Sequence, residues 1–181
     1  MKAAYIFESE RLGFREWKRS DIKKLARVNS NAKVMEFFPS IQDLQQTEEL
    51  VLRMQKMFSE RGYCYFPVER LEDRCFIGFI GIAYADFESE VTPCIDIGWR
   101  LDEQYWKKGY ATEGAKRCLS FALEDLKIQK IKAIAPKVNL KSIQVMKKIG
   151  MKKSKEFKHP LLQGNKQLEE CVCYEISRQD L

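Results

Sequence analysis

Residues 97–112 read Ile-Gly-Trp-Arg-Leu-Asp-Glu-Gln-Tyr-Trp-Lys-Lys-Gly-Tyr-Ala-Thr and run straight into an amphipathic helix pattern. The order is a strand, a connecting turn, a basic loop with one glycine, and a helix start. Such a loop aims backbone N–H groups and the positive end of a helix at one place, which makes an anion site. Lys107 and Lys108 add positive charge there. The anion that suits this site is a phosphate group of a cofactor, held by the backbone of Lys107, Lys108, Gly109, Tyr110, Ala111 and Thr112. The competing reading is a tight turn that merely uses Gly109.

The helix that follows is the clearest in the chain. Ala115, Cys118, Leu119, Ala122, Leu123 and Leu126 recur with helical spacing, and Glu113, Lys116, Arg117 and Glu124 take the other side. Upstream, residues 8–17 read as a first strand, with Leu12, Phe14 and Glu16 alternating onto one face. Ser20-Asp21 signals the start of a helix carrying Ile22, Leu25 and Ala26. Val34–Pro39 is an apolar loop or short helix ended by proline. Thr47 caps a second helix with Leu50, Val51, Met54, Met57 and Phe58 on one face, and Gly62 stops it. Strands at Tyr63–Glu69 and Cys75–Ala85 flank a polar turn at Glu72-Asp73 and read as an antiparallel hairpin. The acidic loop 86–90 leads to a strand at Cys94–Leu101. A strand at Lys130–Ala135 ends in a turn at Pro136, Asn139 caps a short helix ended by Gly150, and strands follow at Lys152–Phe157 and Leu168–Ile176. The order β α α β β β α β α β β describes an α/β or α+β domain with a mixed sheet.

The length of 181 residues suits one domain, 1–181, and 45% hydrophobic with 32% charged residues is the balance of a soluble globular chain. No apolar run approaches the roughly 20 residues that span a bilayer. The stretch Met1–Glu8 has no apolar core of signal-peptide type, so the expected location is cytoplasmic, with no membrane partner. The six cysteines, Cys64, Cys75, Cys94, Cys118, Cys171 and Cys173, include no C-x-x-C pair and read as reduced thiols. With His159 as the single histidine, no metal site is expected. The net charge of +6 fits either a solvated face plus a phosphate site or proximity to nucleic acid. No aromatic-interleaved RNA motif appears, so no specific nucleic-acid partner is expected.

Four segments resemble a known family, the GNAT N-acetyltransferases, and within it the branch of bacterial ribosomal-protein N-terminal acetyltransferases. Glu10-Arg11-Leu12-Gly13-Phe14-Arg15 resembles that branch's opening strand, and Ile97-Gly98-Trp99-Arg100-Leu101 its central strand. Trp106-Lys107-Lys108-Gly109-Tyr110-Ala111-Thr112-Glu113 resembles its acetyl-CoA loop. Asn139 through Met151 resembles its cofactor and active-site helix. The resemblance implies a mixed, mainly antiparallel sheet with a splayed central strand pair, flanked by helices. It also implies acetyl transfer from acetyl-CoA to a primary amine, by direct attack through a tetrahedral intermediate. The family's loop pattern opens with Gln or Arg, where this chain has Trp106, a substitution usual in the branch. Many members carry a proton-donating tyrosine seven residues after the asparagine. Here that position is Met146, which donates nothing.

By that resemblance, the backbone of Trp99, Arg100 and Leu101 pairs with the peptide-like pantetheine arm, and Asn139 bonds the same arm or simply caps its helix. Ser142, one turn before Met146, is the nearest hydroxyl able to protonate the departing thiolate, and also counts among the cofactor contacts. The general base is drawn from Asp96, Glu88 and Glu90, with Asp96 preferred. His159 reads as structural or at the rim. Trp17, Met35, Phe37 and Phe38 either wall an acceptor groove or belong to the core. The expected acceptor is a protein or peptide N-terminal α-amine. A polyamine or other small amine, a non-catalytic CoA-binding module and a basic ribosome- or RNA-binding module are the competing readings. Monomer and homodimer are both compatible with the sequence.

Overall fold

The computed structural model describes residues 5–180, so the first four residues of the stretch read for a signal peptide lie outside it. The elements are β1 (Phe7–Glu8), β2 (Leu12–Phe14), α1 (Arg19–Asn29), α2 (Leu44–Arg61), β3 (Tyr65–Arg70), β4 (Phe76–Ala85), β5 (Cys94–Leu101), α3 (Tyr110–Ser120), β6 (Lys130–Pro136), α4 (Leu140–Lys148), β7 (Lys152–Lys158) and β8 (Glu170–Ser177). The strands form one sheet in the order β1-β2-β3-β4-β5-β6-β8-β7. Every neighbouring pair is antiparallel except β5 and β6, which run parallel and meet only at Asp96 and Lys132. Beyond that one bridge the two central strands part, as the resemblance implies.

The N-terminal third departs from the alternation read above. The single strand over 8–17 is a tight hairpin instead, closed by Ser9 N–H to Leu12 O at 2.8 Å and Ile6 N–H to Phe14 O at 2.7 Å. Leu12 and Phe14 are fully buried, but Glu16 lies beyond the strand and is exposed. The chain leaves the sheet at Arg15, whose buried guanidinium bonds both oxygens of Asp21, at 2.7 and 2.9 Å, and Glu69 Oε1 at 2.7 Å. Removing one partner from a buried pair of this kind costs about 3–5 kcal/mol. α1 starts at Arg19, one residue before the signal read at Ser20-Asp21, because the Asp21 carboxylate reaches back to Lys18 N–H at 2.8 Å.

α2 also starts earlier than expected. Asp43 caps it, in reciprocal bonds with Gln46 of 2.8 and 3.0 Å. Thr47, expected as the cap, sits inside the first turn and is buried. Its Oγ1 donates to Asp43 O at 2.8 Å and accepts from Asn29 Nδ2 at 2.9 Å, which ties α2 to the end of α1. Gly62, at φ 75°, ends the helix as read. Residues 34–39 form consecutive turns rather than a helix.

Opposed residues on β4 and β5 share a face of the sheet. Ile80 with Trp99, and Ile82 with Ile97, face α3, whose Gly114 touches Ile80. Ala115, Cys118 and Leu119 of α3 are buried there, and a wider turn over 121–125 keeps Ala122 and Leu123 buried too. Phe79 with Arg100, Gly81 with Gly98, and Ala83 with Asp96 face the opposite side, where α1 ends. A smaller cluster of Val91, Phe157, Cys171 and Cys173 pins the 86–93 loop onto β7 and β8. All six cysteines are free. Among the described residues, no helix is long and apolar enough to cross a membrane, and no group of three acidic, histidine or cysteine side chains could hold a metal ion.

Candidate active site

The loop between β5 and α3 is built to leave donors free. Lys107 takes a left-handed conformation at φ 61° and Gly109 another at φ 84°, where α3 begins. The backbone N–H groups of Lys107, Lys108, Gly109, Tyr110, Ala111 and Thr112 bond to no described residue, whereas Glu113 N–H already bonds Gly109 O at 3.0 Å. Successive free N–H groups at a helix start form a cradle for a diphosphate. Lys107 and Lys108 are exposed beside it, and Tyr110 is buried beneath.

The cradle is held from below by the β1–β2 hairpin. Arg11 Nη1 donates to Lys108 O at 3.1 Å, Arg11 Nε donates to Glu113 Oε2 at 2.7 Å, and Ser9 Oγ donates to Glu113 Oε1 at 2.7 Å. The Arg11 guanidinium also lies over the Tyr110 ring, 4.6 Å from its centre. Partial burial raises the Glu113 pKa, but the bonds from Ser9 and Arg11 outweigh it, and the net shift is downward. Trp106, the departure from the family's loop pattern, has a structural task. Its indole Nε1 donates to Leu101 O at 2.8 Å, and the Lys141 ammonium of α4 lies 4.8 Å from its ring centre.

Along β5, Asp102 N–H bonds Ile77 O at 2.9 Å, so the even-numbered backbone groups address β4 and the odd-numbered ones address β6. Past the single bridge, β6 has moved away, and Trp99 presents both its N–H and its C=O to the open side. Leu101 presents its N–H there, while its carbonyl is engaged by Trp106. Arg100 differs from both: its backbone addresses β4. Of the three residues expected to pair with a pantetheine arm, Trp99 and the Leu101 N–H stand on the open edge.

A cavity of about 170 Å³ lies at the splay. It brings together Asp96 and Arg100 of β5, Ser142 and Met146 of α4, Asn139 at the α4 cap, and Phe37 and Phe38 from the α1–α2 loop. Trp17 and Met35 are core residues instead. Asn139 Oδ1 accepts from Ser142 N–H at 3.1 Å, so its oxygen serves the cap, while its Nδ2 bonds no described residue. The Ser142 hydroxyl bonds no described residue and stands one turn before Met146, as their spacing on a helix requires.

The Asp96 carboxylate accepts a 2.6 Å hydrogen bond from the Tyr65 hydroxyl on Oδ2, and its Oδ1 is shielded from solvent with no partner among the described residues. Burial pushes its pKa up to about 7, against smaller opposing contributions from the Tyr65 hydroxyl and the nearby Ile134 backbone. Tyr65 lies flat on Phe79, with ring centres 5.4 Å apart, and over Gly98, where an added Cβ would come within 3.1 Å of the ring. Burial, then Asp96, hold the tyrosine pKa well above its usual value, so it stays a donor.

Two features of this cavity escaped the sequence reading: Tyr65, and the Arg100 side chain. Arg100 Nη1 donates to Asn29 Oδ1 at 2.7 Å and Gln42 Oε1 at 3.1 Å. Burial lowers its pKa to about 10, which leaves it a cation at neutral pH. Glu88 and Glu90 do not line the cavity. Glu88 is exposed, and Glu90 forms an ion pair with Lys155. His159 also lies elsewhere, stacked on Phe87 with ring centres 4.4 Å apart, and burial lowers its pKa.

A row of free N–H groups at a helix start, an open strand edge and a largely shielded carboxylate lie along one splayed strand pair, an arrangement able to hold a phosphate-bearing, peptide-like thioester beside a base. Comparison with known proteins agrees. Residues 11–152 match the model of the acetyltransferase (GNAT) domain. The chain is 28% identical over 162 residues to the Bacillus subtilis protein named uncharacterized N-acetyltransferase YnaD, covering 90% of this chain and 91% of that one. It superposes on a GNAT-family acetyltransferase of Bacillus anthracis with a TM-score of 0.79 at 26% identity, over 95% and 98% of the two chains. A spermidine N-acetyltransferase of Vibrio cholerae, solved with CoA and spermine, shares the fold with a TM-score of 0.74 at 18% identity, over 93% and 96% of the chains. Proteins named as ribosomal-protein acetyltransferases share it as well. The chain belongs to the GNAT family and is an N-acetyltransferase.

Proposed function

We propose that this protein transfers the acetyl group of acetyl-CoA to an α-amine, the N-terminus of a protein or peptide, with residues 1–181 acting as one catalytic domain. The observation that carries this reading is the placement of the Asp96 carboxylate, which lines the cavity with Oδ2 held by the Tyr65 hydroxyl and Oδ1 shielded and unbonded among the described residues, a setting whose burial pushes its pKa up to about 7. An α-ammonium group has a pKa of about 7.7–8, and an alkylammonium such as lysine about 10.4. Proton transfer to Asp96 is uphill by about 1 kcal/mol from the first and by about 4–5 kcal/mol from the second. A base tuned this way suits α-amines rather than polyamines. The acidic 86–90 loop does not line the cavity, and its Glu90 is paired with Lys155.

Acetyl-CoA supplies an activated thioester carbonyl. The N–H groups of residues 107–112 hold its diphosphate, and Trp99 with the Leu101 N–H pairs with its pantetheine arm. Asn139 Nδ2 is free to donate to the same arm. Asp96 takes the proton from the acceptor ammonium, and Tyr65 keeps the carboxylate aimed into the cavity. The neutral amine then attacks the thioester carbonyl, and as the C–S bond breaks Ser142 Oγ gives its proton to the sulfur and regains one from the acylated nitrogen, which leaves the thiol of CoA and the amide. Replacing Ser142 with alanine is expected to lower kcat by about 10²–10⁴-fold and leave the Kd for acetyl-CoA within about threefold. Near-full turnover with chemistry rate-limiting would make water the proton source.

The acceptor class is tested by thiol release from acetyl-CoA with peptides bearing free N-termini and with spermidine, across pH 5.5–9. The peptide kcat/KM is expected to rise with pH through about 7, as the base must lose its proton to work. At pH 7.5 it should exceed that of spermidine by at least tenfold. Faster acetylation of spermidine would reverse the assignment.

A further inference from the structure

Arg100 is a buried cation without a counter-anion. Only 8% of it is exposed, yet no carboxylate lies within ion-pair distance among the described residues. Its two hydrogen bonds end on neutral amides, Asn29 Oδ1 and Gln42 Oε1. Its guanidinium stacks over Phe38 and Phe79, 4.2 and 5.2 Å from the ring centres. Its Nε is shielded from solvent, and neither Nε nor Nη2 bonds any described residue. An uncompensated buried charge with unused donors is costly to hold. The contrast with Arg15 is direct, since that buried guanidinium is matched by Asp21 and Glu69. Arg100 nevertheless lines the same cavity as Asp96, on the same face of β5 and four residues away.

The geometry points to Arg100 as the specificity-determining residue of the acceptor site, recognising a carbonyl or carboxylate oxygen that the acceptor carries close to its reacting amine. This inference rests on the acetyl-acceptor reading of the cavity and deepens it. Asp96 and Arg100 give the cavity one anionic and one cationic wall, side by side on a strand. An α-amine with its own carbonyl group presents the matching pair, a proton to give and an oxygen to be bonded. A polyamine presents a second ammonium to the guanidinium, which is repelled. Phe37, Phe38 and Phe79 line the same cavity and make its wall apolar, which strengthens the field of both charges. A site built to bond a substrate oxygen discriminates strongly against the analogue that lacks it, because the buried donors are then left unpaired.

The test uses a matched pair of acceptors, phenylalaninamide and phenethylamine, which differ by the carboxamide on the amine-bearing carbon. Rates are expressed per neutral amine, so that the difference in amine pKa drops out. The wild-type protein is expected to favour phenylalaninamide by at least 30-fold in kcat/KM, mainly through KM. In Arg100→Met that ratio should collapse to within about threefold of unity. A second readout needs no turnover and no variant: with CoA bound, N-acetylphenylalaninamide should protect the wild-type protein against thermal unfolding at a concentration at least tenfold lower than N-acetylphenethylamine. Equal preference for the two amines in the wild type, or equal protection by the two products, overturns the inference. So does a variant in which both amines lose activity by one common factor, because the cation would then serve the acetyl group or the fold. Failure of peptides as acceptors, with the carboxamide preference intact, would sink the protein N-terminus reading alone. Acetylated peptides with a preference that ignores Arg100 would sink this inference alone.

Discussion

Asp96→Asn is expected to lower kcat/KM for α-amine acceptors by about 10²–10⁴-fold and, at pH 8, to make the protein more stable. Both effects come from one cause. The carboxylate sits where burial pushes its pKa up to about 7, with Oδ1 shielded and unbonded. Unfolded, the same group titrates near 3.9. The folded state therefore holds a proton between pH 4 and 7 that the unfolded state has released. Stability from this group falls as pH rises through that window, and the full penalty stands above pH 7. Complete linkage over about three pKa units would be worth about 4 kcal/mol. Asp96 is only partly buried, which reduces the expected gain to about 1–3 kcal/mol. For a chain of this length, that is a Tm increase of about 2–12 °C at pH 8, shrinking toward zero at pH 4. The amide still accepts the Tyr65 hydrogen bond, so packing is preserved. Thermal melts of both proteins across pH 4–8, with thiol-release rates at pH 8, provide the check. Unchanged melts at every pH would mean that Asp96 is not strained. Retained activity would mean that another group is the base.

What the sequence made legible was local and periodic. The strand Cys94–Leu101 has the bounds read for it, because its hydrophobic residues and its flanking turns agree. The free N–H cradle follows from one glycine between a strand and an amphipathic helix. Ser142 and Met146 reach one cavity because helix geometry places residues four apart on one face. What stayed hidden depends on distant parts of the chain. Tyr65 meets Asp96 across 31 positions, and Arg100 meets Asn29 across 71. Neither pairing has a local signature. A partial signal was present in the alternation of Asp96, Gly98 and Arg100, which puts an anion and a cation on one face with a gap between them. The gap is filled by the Tyr65 ring. The errors at the helix starts have the same origin. Asp21 bonds Arg15 and also accepts from Lys18 N–H, so it serves α1 from the third helical position rather than from the cap, while Thr47 is turned to Asn29 and leaves the capping of α2 to Asp43.

The largest expected effect on co-substrate binding is at Gly109. A Cβ there would meet only the Arg11 guanidinium, at 3.4 Å, so the protein itself has room for a side chain. The constraints are the backbone, at φ 84°, and the ligand. A non-glycine residue in that region costs roughly 1–2 kcal/mol, and a β-branched one more. A side chain also stands between the free N–H groups and a diphosphate that must come within hydrogen-bond distance of them. Gly109→Val is therefore expected to raise the Kd for CoA by about 100-fold or more, which corresponds to about 2.7 kcal/mol. Gly109→Asn separates the two causes, because asparagine tolerates positive φ. If backbone strain dominates, Asn binds nearly as well as glycine. If blocked approach dominates, Asn is almost as weak as Val. Acetyl-pantetheine, which lacks the diphosphate, supplies the control: its affinity should be the same in all three proteins. Calorimetry with both ligands reads the outcome. Undiminished CoA affinity in the valine variant would move the diphosphate off this loop. Equal loss for CoA and acetyl-pantetheine would mean that Gly109 shapes the whole cleft rather than the phosphate cradle.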